Sequence, residues 1–220
     1  MLMSKVTGQS IAFIIIAVNI ILKIVIIQLV IWIGEDTSSK QKSSITNKVF
    51  MAQFFNTGFL ILIVNANLTE HEPVQFTRYF NGPFYDYQPD WFQDVGLKIL
   101  QTMIINCVMP YVNVVVAFLV PNLLRYLDNG FTGNPYNTKK TSIQTFKQLY
   151  TGADYLIHFK YSDALNITYI TMMYGLGMPL LFPIAAIAMF SQWLSERIQI
   201  AYTVRQPPAM DNQLSNNAID

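Results

Sequence analysis

The sequence predicts an all-α membrane protein with about five membrane-spanning helices. Residues 11–33 form an apolar run of 23 residues with one charge, Lys23, and roughly 20 apolar residues in a helix cross the hydrocarbon core of a bilayer. Further apolar stretches recur at 47–66, 95–120 and 164–202. The 220-residue chain is 52% hydrophobic and only 12% charged, about half the charged fraction of a soluble domain, which is roughly 25%.

The charge and the motif content exclude several function classes. A net charge of +1 gives no indication of a nucleic-acid partner, and none is expected. His71 and His158 have no metal-ligand spacing around them, and the sequence contains no phosphate-binding loop, nucleophile elbow or cysteine pair. The single cysteine, Cys107, is interpreted as a small buried hydrophobic residue. We therefore expect no enzymatic activity, no catalytic residue and no cofactor.

The first three helices follow from the apolar runs. They are expected at about 8–33, 47–66 and 95–120. The third run contains Pro110, which removes a backbone hydrogen bond and predicts a kink. In a membrane, such a break persists only where protein or a water-filled cavity covers it.

The last apolar stretch allows two interpretations. As one helix, its 39 residues would be about 58 Å long, almost twice the hydrocarbon thickness. The stretch is either a single span with a helical extension or a hairpin of two spans at about 164–179 and 182–203. Clustered Gly and Pro residues favour the hairpin, with a hinge at Gly175, Gly177, Pro179 and Pro183. The membrane domain is then 1–206, followed by a polar tail at 207–220.

Loop charges predict the orientation of the helices. The loops between the first two spans and between the third and fourth are rich in lysine, whereas the loop at 67–94 carries five acidic residues and one arginine. The positive-inside rule places the lysine-rich loops in the cytoplasm and the acidic loop outside. Only the hairpin returns Arg197 and Arg205 to the cytoplasmic side, so the charges also favour five spans.

Polar residues inside the spans are the candidate functional residues. A lysine at mid-bilayer costs about 2.5 kcal/mol or more on insertion scales, so Lys23 must snorkel to the interface, pair with an acid, or face water. On the third helix, polar residues form one stripe beside Pro110. The stripes of the two helices predict one hydrated groove lined by Asn19, Lys23, Thr102, Asn106 and Asn113. The alternative is that the amides and hydroxyls only form hydrogen bonds between helices.

Several short motifs resemble the membrane core shared by OSCA-type osmosensitive channels, anoctamins and TMC channels. Segment 32–38 (WIGEDTS) is similar to an acidic-Thr-Ser element of the family, and 48–56 (KVFMAQFFN) to the helix start that follows it. Segment 104–110 (IINCVMP) resembles the groove-lining anoctamin helix. Segment 173–183 (MYGLGMPLLFP) resembles an OSCA hairpin, and 196–207 (ERIQIAYTVRQP) resembles two anoctamin elements.

This resemblance implies a function and an assembly. It implies a calcium-permeable, osmosensitive or mechanosensitive cation channel in the plasma membrane, homodimeric in a full-length protein of which this chain is a fragment or truncated product. The lipid bilayer and the permeating cations would be its partners. The alternatives are a lipid scramblase of the anoctamin type and a non-conducting membrane subunit or fragment.

One departure concerns the calcium site of anoctamins. Two of its acids are replaced here by Pro110 and Ile200, which leaves Asp163 and Glu196 as weak candidates. Two carboxylates are too few for a cation that takes 6–8 oxygens. No metal site is therefore expected, and the chain is closer to the OSCA type.

Overall fold

The structure is a computed structural model that describes residues 2–35, 37–67, 82–130, 138–152 and 154–205, with side chains described from residue 17 onward, Ser38 excepted. The predicted tail at 207–220 lies outside the described residues. The described chain is helical and contains no β-strand; Ala66 and Phe84 form an isolated bridge. The prediction of an all-α fold is confirmed.

Eight α-helices and two π-helical turns make up the described chain. In chain order the elements are α1 (Leu2–Ile33), α2 (Ser38–Phe54), a π turn (Phe55–Phe59), α3 (Leu60–Asn65), α4 (Pro89–Trp91), a second π turn (Phe92–Gly96), α5 (Leu97–Asp128), α6 (Ile143–Thr151), α7 (Ile157–Tyr174) and α8 (Leu181–Tyr202). The π turns join their neighbouring helices, so that Ser39–Asn65 and Pro89–Asp128 are each one continuous helix.

The helices extend beyond most of the predicted bounds because an apolar run outlines only part of a helix. The helix predicted from residue 47 begins at Ser38, where the Thr37 hydroxyl caps it by accepting from the Lys40 amide at 3.3 Å. The helix predicted at 95–120 begins at Pro89, which suits a first helical position, and it continues to Asp128 through two prolines. α6 was not predicted, since its nine residues contain no apolar run.

The chain turns between α7 and α8. Gly175, Gly177 and Pro179 lie in the turn, and Pro183 lies in the first turn of α8. The amide of Met178 donates to the Tyr174 carbonyl at 2.8 Å. The turn starts earlier than predicted, because α7 runs from Ile157 to Tyr174 instead of 164–179.

Five helices form a closed ring. α1 packs against α2, α2 against α7, α7 against α8, α8 against α5, and α5 against α1. The larger apolar cluster joins α5, α7 and α8 and includes Ile99, Met103, Ile170 and Leu181. A smaller cluster of Val30, Ile45 and Val49 holds α1 on α2. α6 lies outside the ring, against the end of α5.

The polarity of this fold is unlike that of a soluble bundle. Among the described residues, 15 polar side chains are buried against 13 apolar ones. Many large apolar side chains are exposed, such as Ile21, Val108, Val112, Leu123 and Phe190. Contiguous exposed apolar surface marks contact with lipid or with a partner.

Two helices meet the length and composition of a membrane span. They are Ser39–Asn65 and Pro89–Asp128, and the part of α1 with described side chains adds the shorter apolar helix Ala17–Ile33. These apolar helices indicate a membrane protein, while a full set of five spans stays a prediction.

Candidate functional site: a polar cavity inside the helix ring

Four of the five predicted groove residues lie around one cavity. Asn19 and Lys23 of α1 and Asn106 and Asn113 of α5 line a space of about 100 Å³. Thr102 does not: its side chain is 1% exposed, and its hydroxyl donates to the Lys98 carbonyl one turn earlier, at 2.9 Å. The predicted stripe on α5 thus reaches the cavity at two of its three positions.

All five ring helices contribute to the cavity wall. Besides α1 and α5, the polar lining comes from α2, α7 and α8, namely Gln53, Lys160, Asp163, Asn166 and Gln192. Because Pro110 has no N–H, the Asn106 carbonyl lacks its helical donor, and both residues line the cavity. The break in the hydrogen-bond ladder of α5 therefore adjoins polar space.

An ion pair crosses the cavity from α1 to α7. The Lys23 Nζ lies 2.7 Å from Asp163 Oδ1, and the two side chains are 23% and 37% exposed. The same oxygen accepts from Gln53 Nε2 at 3.2 Å. The Lys23 ammonium also lies 5.8 Å from the centre of the Phe159 ring. Of the three environments considered for Lys23, the structure gives it an acidic partner.

One helical turn before Lys23, an amide network joins α1 to the first π turn. Asn56 Nδ2 donates to Asn19 Oδ1 at 2.8 Å, and Asn19 Nδ2 donates to Thr57 Oγ1 at 2.9 Å. A π turn inserts one extra residue into a helix, and such turns are frequent at functional sites. Here consecutive residues of the turn both bond to Asn19, so Asn19 is held by two partners as well as lining the cavity.

The α8 side of the cavity is organised by Gln192. Its Nε2 donates to the Lys160 carbonyl at 2.8 Å and to Glu196 Oε1 at 3.2 Å. Lys160 in turn interacts electrostatically with Glu196, Asp163 and Lys23. Two lysines and two carboxylates therefore surround this end of the cavity with no net charge.

Two buried acceptors at the cavity have no protein donor. Gln53 Oε1 and Asn166 Oδ1 are without a hydrogen bond, although the two side chains are only 4% and 5% exposed. A buried acceptor without a partner costs about 1–3 kcal/mol. A cavity of about 100 Å³ holds roughly three waters, so water or a small cation can satisfy these oxygens.

The arrangement does not make a divalent metal site. No group of three His, Cys, Asp or Glu side chains comes together among the described residues. The weak candidates Asp163 and Glu196 are both near Lys160, and each already accepts hydrogen bonds from neighbouring side chains.

Part of the site was not predicted from the sequence. The groove was placed between α1 and α5, and the polar residues of α2, α7 and α8 were not assigned to it. Lys23 and Asp163 are 140 residues apart, so no helical periodicity relates them. The available signal was balance of charge, since an intramembrane lysine requires a partner and Asp163 is the acid at the start of the fourth predicted span.

Comparison of the chain with family models, with curated proteins and with solved structures finds no significant match. An assignment to the OSCA-type group therefore depends on the sequence motifs alone.

Proposed function

We propose that this chain is the membrane core of an ion channel that passes cations through the polar cavity of its helix ring. The five spans would be α1, α2–α3, α4–α5, α7 and α8. The motif resemblance supports a channel of the OSCA type, in the plasma membrane, gated by osmotic stress or membrane tension. A full-length protein of that type would act as a homodimer.

The observation that carries the proposal is the closed ring around polar space. Apolar side chains cover the outside of the helices, whereas amides and one ion pair face the cavity. A permeation path needs enough dipoles to replace the hydration of an ion and too few charges to trap it. Asn19, Gln53, Asn106, Asn113 and Asn166 supply such dipoles.

The Lys23–Asp163 pair gives the path a closed state. The ammonium of Lys23 neutralises Asp163, the carboxylate among the described lining residues that would attract a cation. Tension that widens the ring would separate α1 from α7 and leave Asp163 without its ammonium partner. The pair would then reform when the ring contracts.

A lipid scramblase is the second candidate. Asn113 is exposed at one end of the cavity, beside the apolar outer face of α5. A polar groove open to lipid on one side would let a headgroup enter. Lining residues on all five ring helices favour ions, because a lipid headgroup can enter only where the ring is open to lipid.

The test is cation flux through the purified chain in liposomes under osmotic stress. We expect Lys23→Ala to raise the flux several-fold, because Asp163 then attracts cations without the ammonium that is bonded to it, and Lys23→Glu to raise it further. Lys147→Ala is the matched control, since Lys147 is exposed on α6 outside the ring. Labelled lipid in the same liposomes detects scrambling.

Wild-type flux in two well-folded Lys23 variants would contradict the assignment of Lys23 to the path. Lipid transfer without ion flux would favour the scramblase. Absence of both in the folded protein would favour the non-conducting subunit.

A further inference from the structure

The two unsatisfied amide oxygens adjoin the ion pair. The Gln53 side chain donates its Nε2 hydrogen to Asp163 Oδ1, which fixes the orientation of the amide and leaves Oε1 as the atom without a partner. Asn166 lies three residues after Asp163, on the same side of α7, and its Oδ1 is also without a donor. The cavity therefore brings together two neutral acceptors and one carboxylate.

The Lys23 ammonium occupies a position suited to a free cation. It carries one positive charge, contacts Asp163, the one carboxylate among the described residues that line the cavity, and lies at the end of a flexible four-carbon chain. Because both side chains line the cavity and are 23% and 37% exposed, Asp163 stays within reach of dissolved ions. A dissolved cation can therefore compete with Lys23 for Asp163.

Charge decides which cation fits. Replacing the ammonium by a monovalent cation at Asp163 leaves the local charge unchanged. A divalent cation would add an uncompensated positive charge near Lys160, and Ca²⁺ prefers several carboxylates among its 6–8 oxygens. One carboxylate with neutral amides is suited to a monovalent ion.

We propose that Asp163, Gln53 and Asn166 form a binding site for a monovalent cation, and that the Lys23 ammonium is a tethered competitor for it. The proposal deepens the channel function proposed above and rests on it for its role in permeation. It departs from the calcium preference that the family resemblance implies.

The experiment measures binding and flux on the same preparations. The melting temperature of the full chain in nanodiscs is measured in mixtures of KCl and N-methylglucamine chloride at constant ionic strength, which gives the half-saturating K⁺ concentration. Binding is measured separately, by counting ⁸⁶Rb⁺ retained in equilibrium filtration. Lys23→Met is expected to lower the half-saturating K⁺ concentration about fivefold, because the tethered competitor is removed; this change corresponds to about 1 kcal/mol. Asp163→Asn is expected to abolish saturable Rb⁺ binding.

Matched controls separate the site from general charge effects. Lys147→Met and Asp90→Asn change exposed residues outside the cavity and should bind Rb⁺ like wild type. If Asp163→Asn does not fold, the Lys23→Met and Asn166→Ala variants still decide, because the first should tighten binding and the second should weaken it.

Three results would overturn the proposal. The first is that wild type and Lys23→Met bind K⁺ with equal affinity. The second is that neither protein shows saturable binding. The third is that Ca²⁺ stabilises Lys23→Met saturably at lower concentrations than K⁺ does. Binding that follows the prediction without ⁸⁶Rb⁺ flux would support the site and refute the channel. Flux without binding would refute the site and leave the channel.

Discussion

Single hydroxyl groups join helices that are far apart in the sequence. The Ser162 hydroxyl on α7 donates to the Thr46 carbonyl on α2 at 2.9 Å, and the Thr46 hydroxyl donates to the His158 carbonyl at 3.3 Å. The Tyr174 hydroxyl donates to the Gly58 carbonyl in the first π turn, at 2.8 Å. Inside a membrane such bonds replace part of the hydrophobic driving force, which lipid does not supply.

At the residue scale, the sequence predicted which side chains lie at the cavity better than it predicted their partners. Asn19, Lys23, Asn106 and Asn113 were recognised because polar groups in apolar helices are costly. Thr102 was misplaced, since a threonine hydroxyl can satisfy itself on the preceding turn of its own helix, as here on Lys98. Partners on other helices depend on tertiary packing, which periodicity does not contain.

At the scale of elements, the turn between α7 and α8 depends on one small residue. A Cβ on Gly175 would collide with the Thr171 carbonyl oxygen and the Phe182 ring, whereas a Cβ on Gly177 would meet only ordinary contacts, the nearest at 3.7 Å. The Thr171 carbonyl is held there by the Gly175 amide at 2.7 Å, so it cannot easily move.

Gly175→Ala should therefore destabilise the protein by about 1–3 kcal/mol, the usual range for overpacking. Gly177→Ala, two residues away in the same turn, is the control and should have a small effect. Thermal unfolding followed by tryptophan fluorescence compares the two variants. Equal stability of both would mean that the α7–α8 turn is looser than described.

The order of the helices was easier to predict than their lengths. Apolar runs predicted the centres of the long helices, but the ends depend on residues such as Thr37, a capping residue, and Pro89, at a first helical position. The Gly and Pro cluster predicted the α7–α8 turn because these residues interrupt helices. The π turns have no comparable sequence signal.

For the whole molecule, the positive-inside rule predicts a sidedness that can be measured. In a Cys107→Ala background, cysteines at Asp86 and Lys140 should react with an impermeant thiol reagent from opposite faces of a sealed vesicle. Both positions lie in described segments, and both side chains are exposed. Reaction of both from one face would contradict the predicted arrangement of the spans.

The closed ring could not be predicted from the sequence. Five apolar segments are compatible with many packings in a bilayer, and the choice between them depends on specific contacts such as Lys23–Asp163 and the Gln192 hydrogen bonds. The sequence did predict that the polar stripes of two helices, α1 and α5, would line one groove. The number of helices around the cavity emerged only from the structure.

The central claim is that a hydrated cavity lies inside a ring whose outer face contacts lipid. Asn106 and Val108 of α5 test it directly, because Asn106 lines the cavity while Val108 is 53% exposed on the outside. Each residue is replaced by cysteine in the Cys107→Ala protein, and the variant is reconstituted in liposomes. The measurement is the rate at which the new cysteine reacts with a charged, water-soluble thiosulfonate.

The account predicts that the cysteine at position 106 reacts at least about tenfold faster than the one at 108, because thiolates form in water and not in hydrocarbon. If α5 were instead exposed to water, the more accessible position 108 would react faster. That order, or no reaction at position 106, would contradict a hydrated cavity within the membrane.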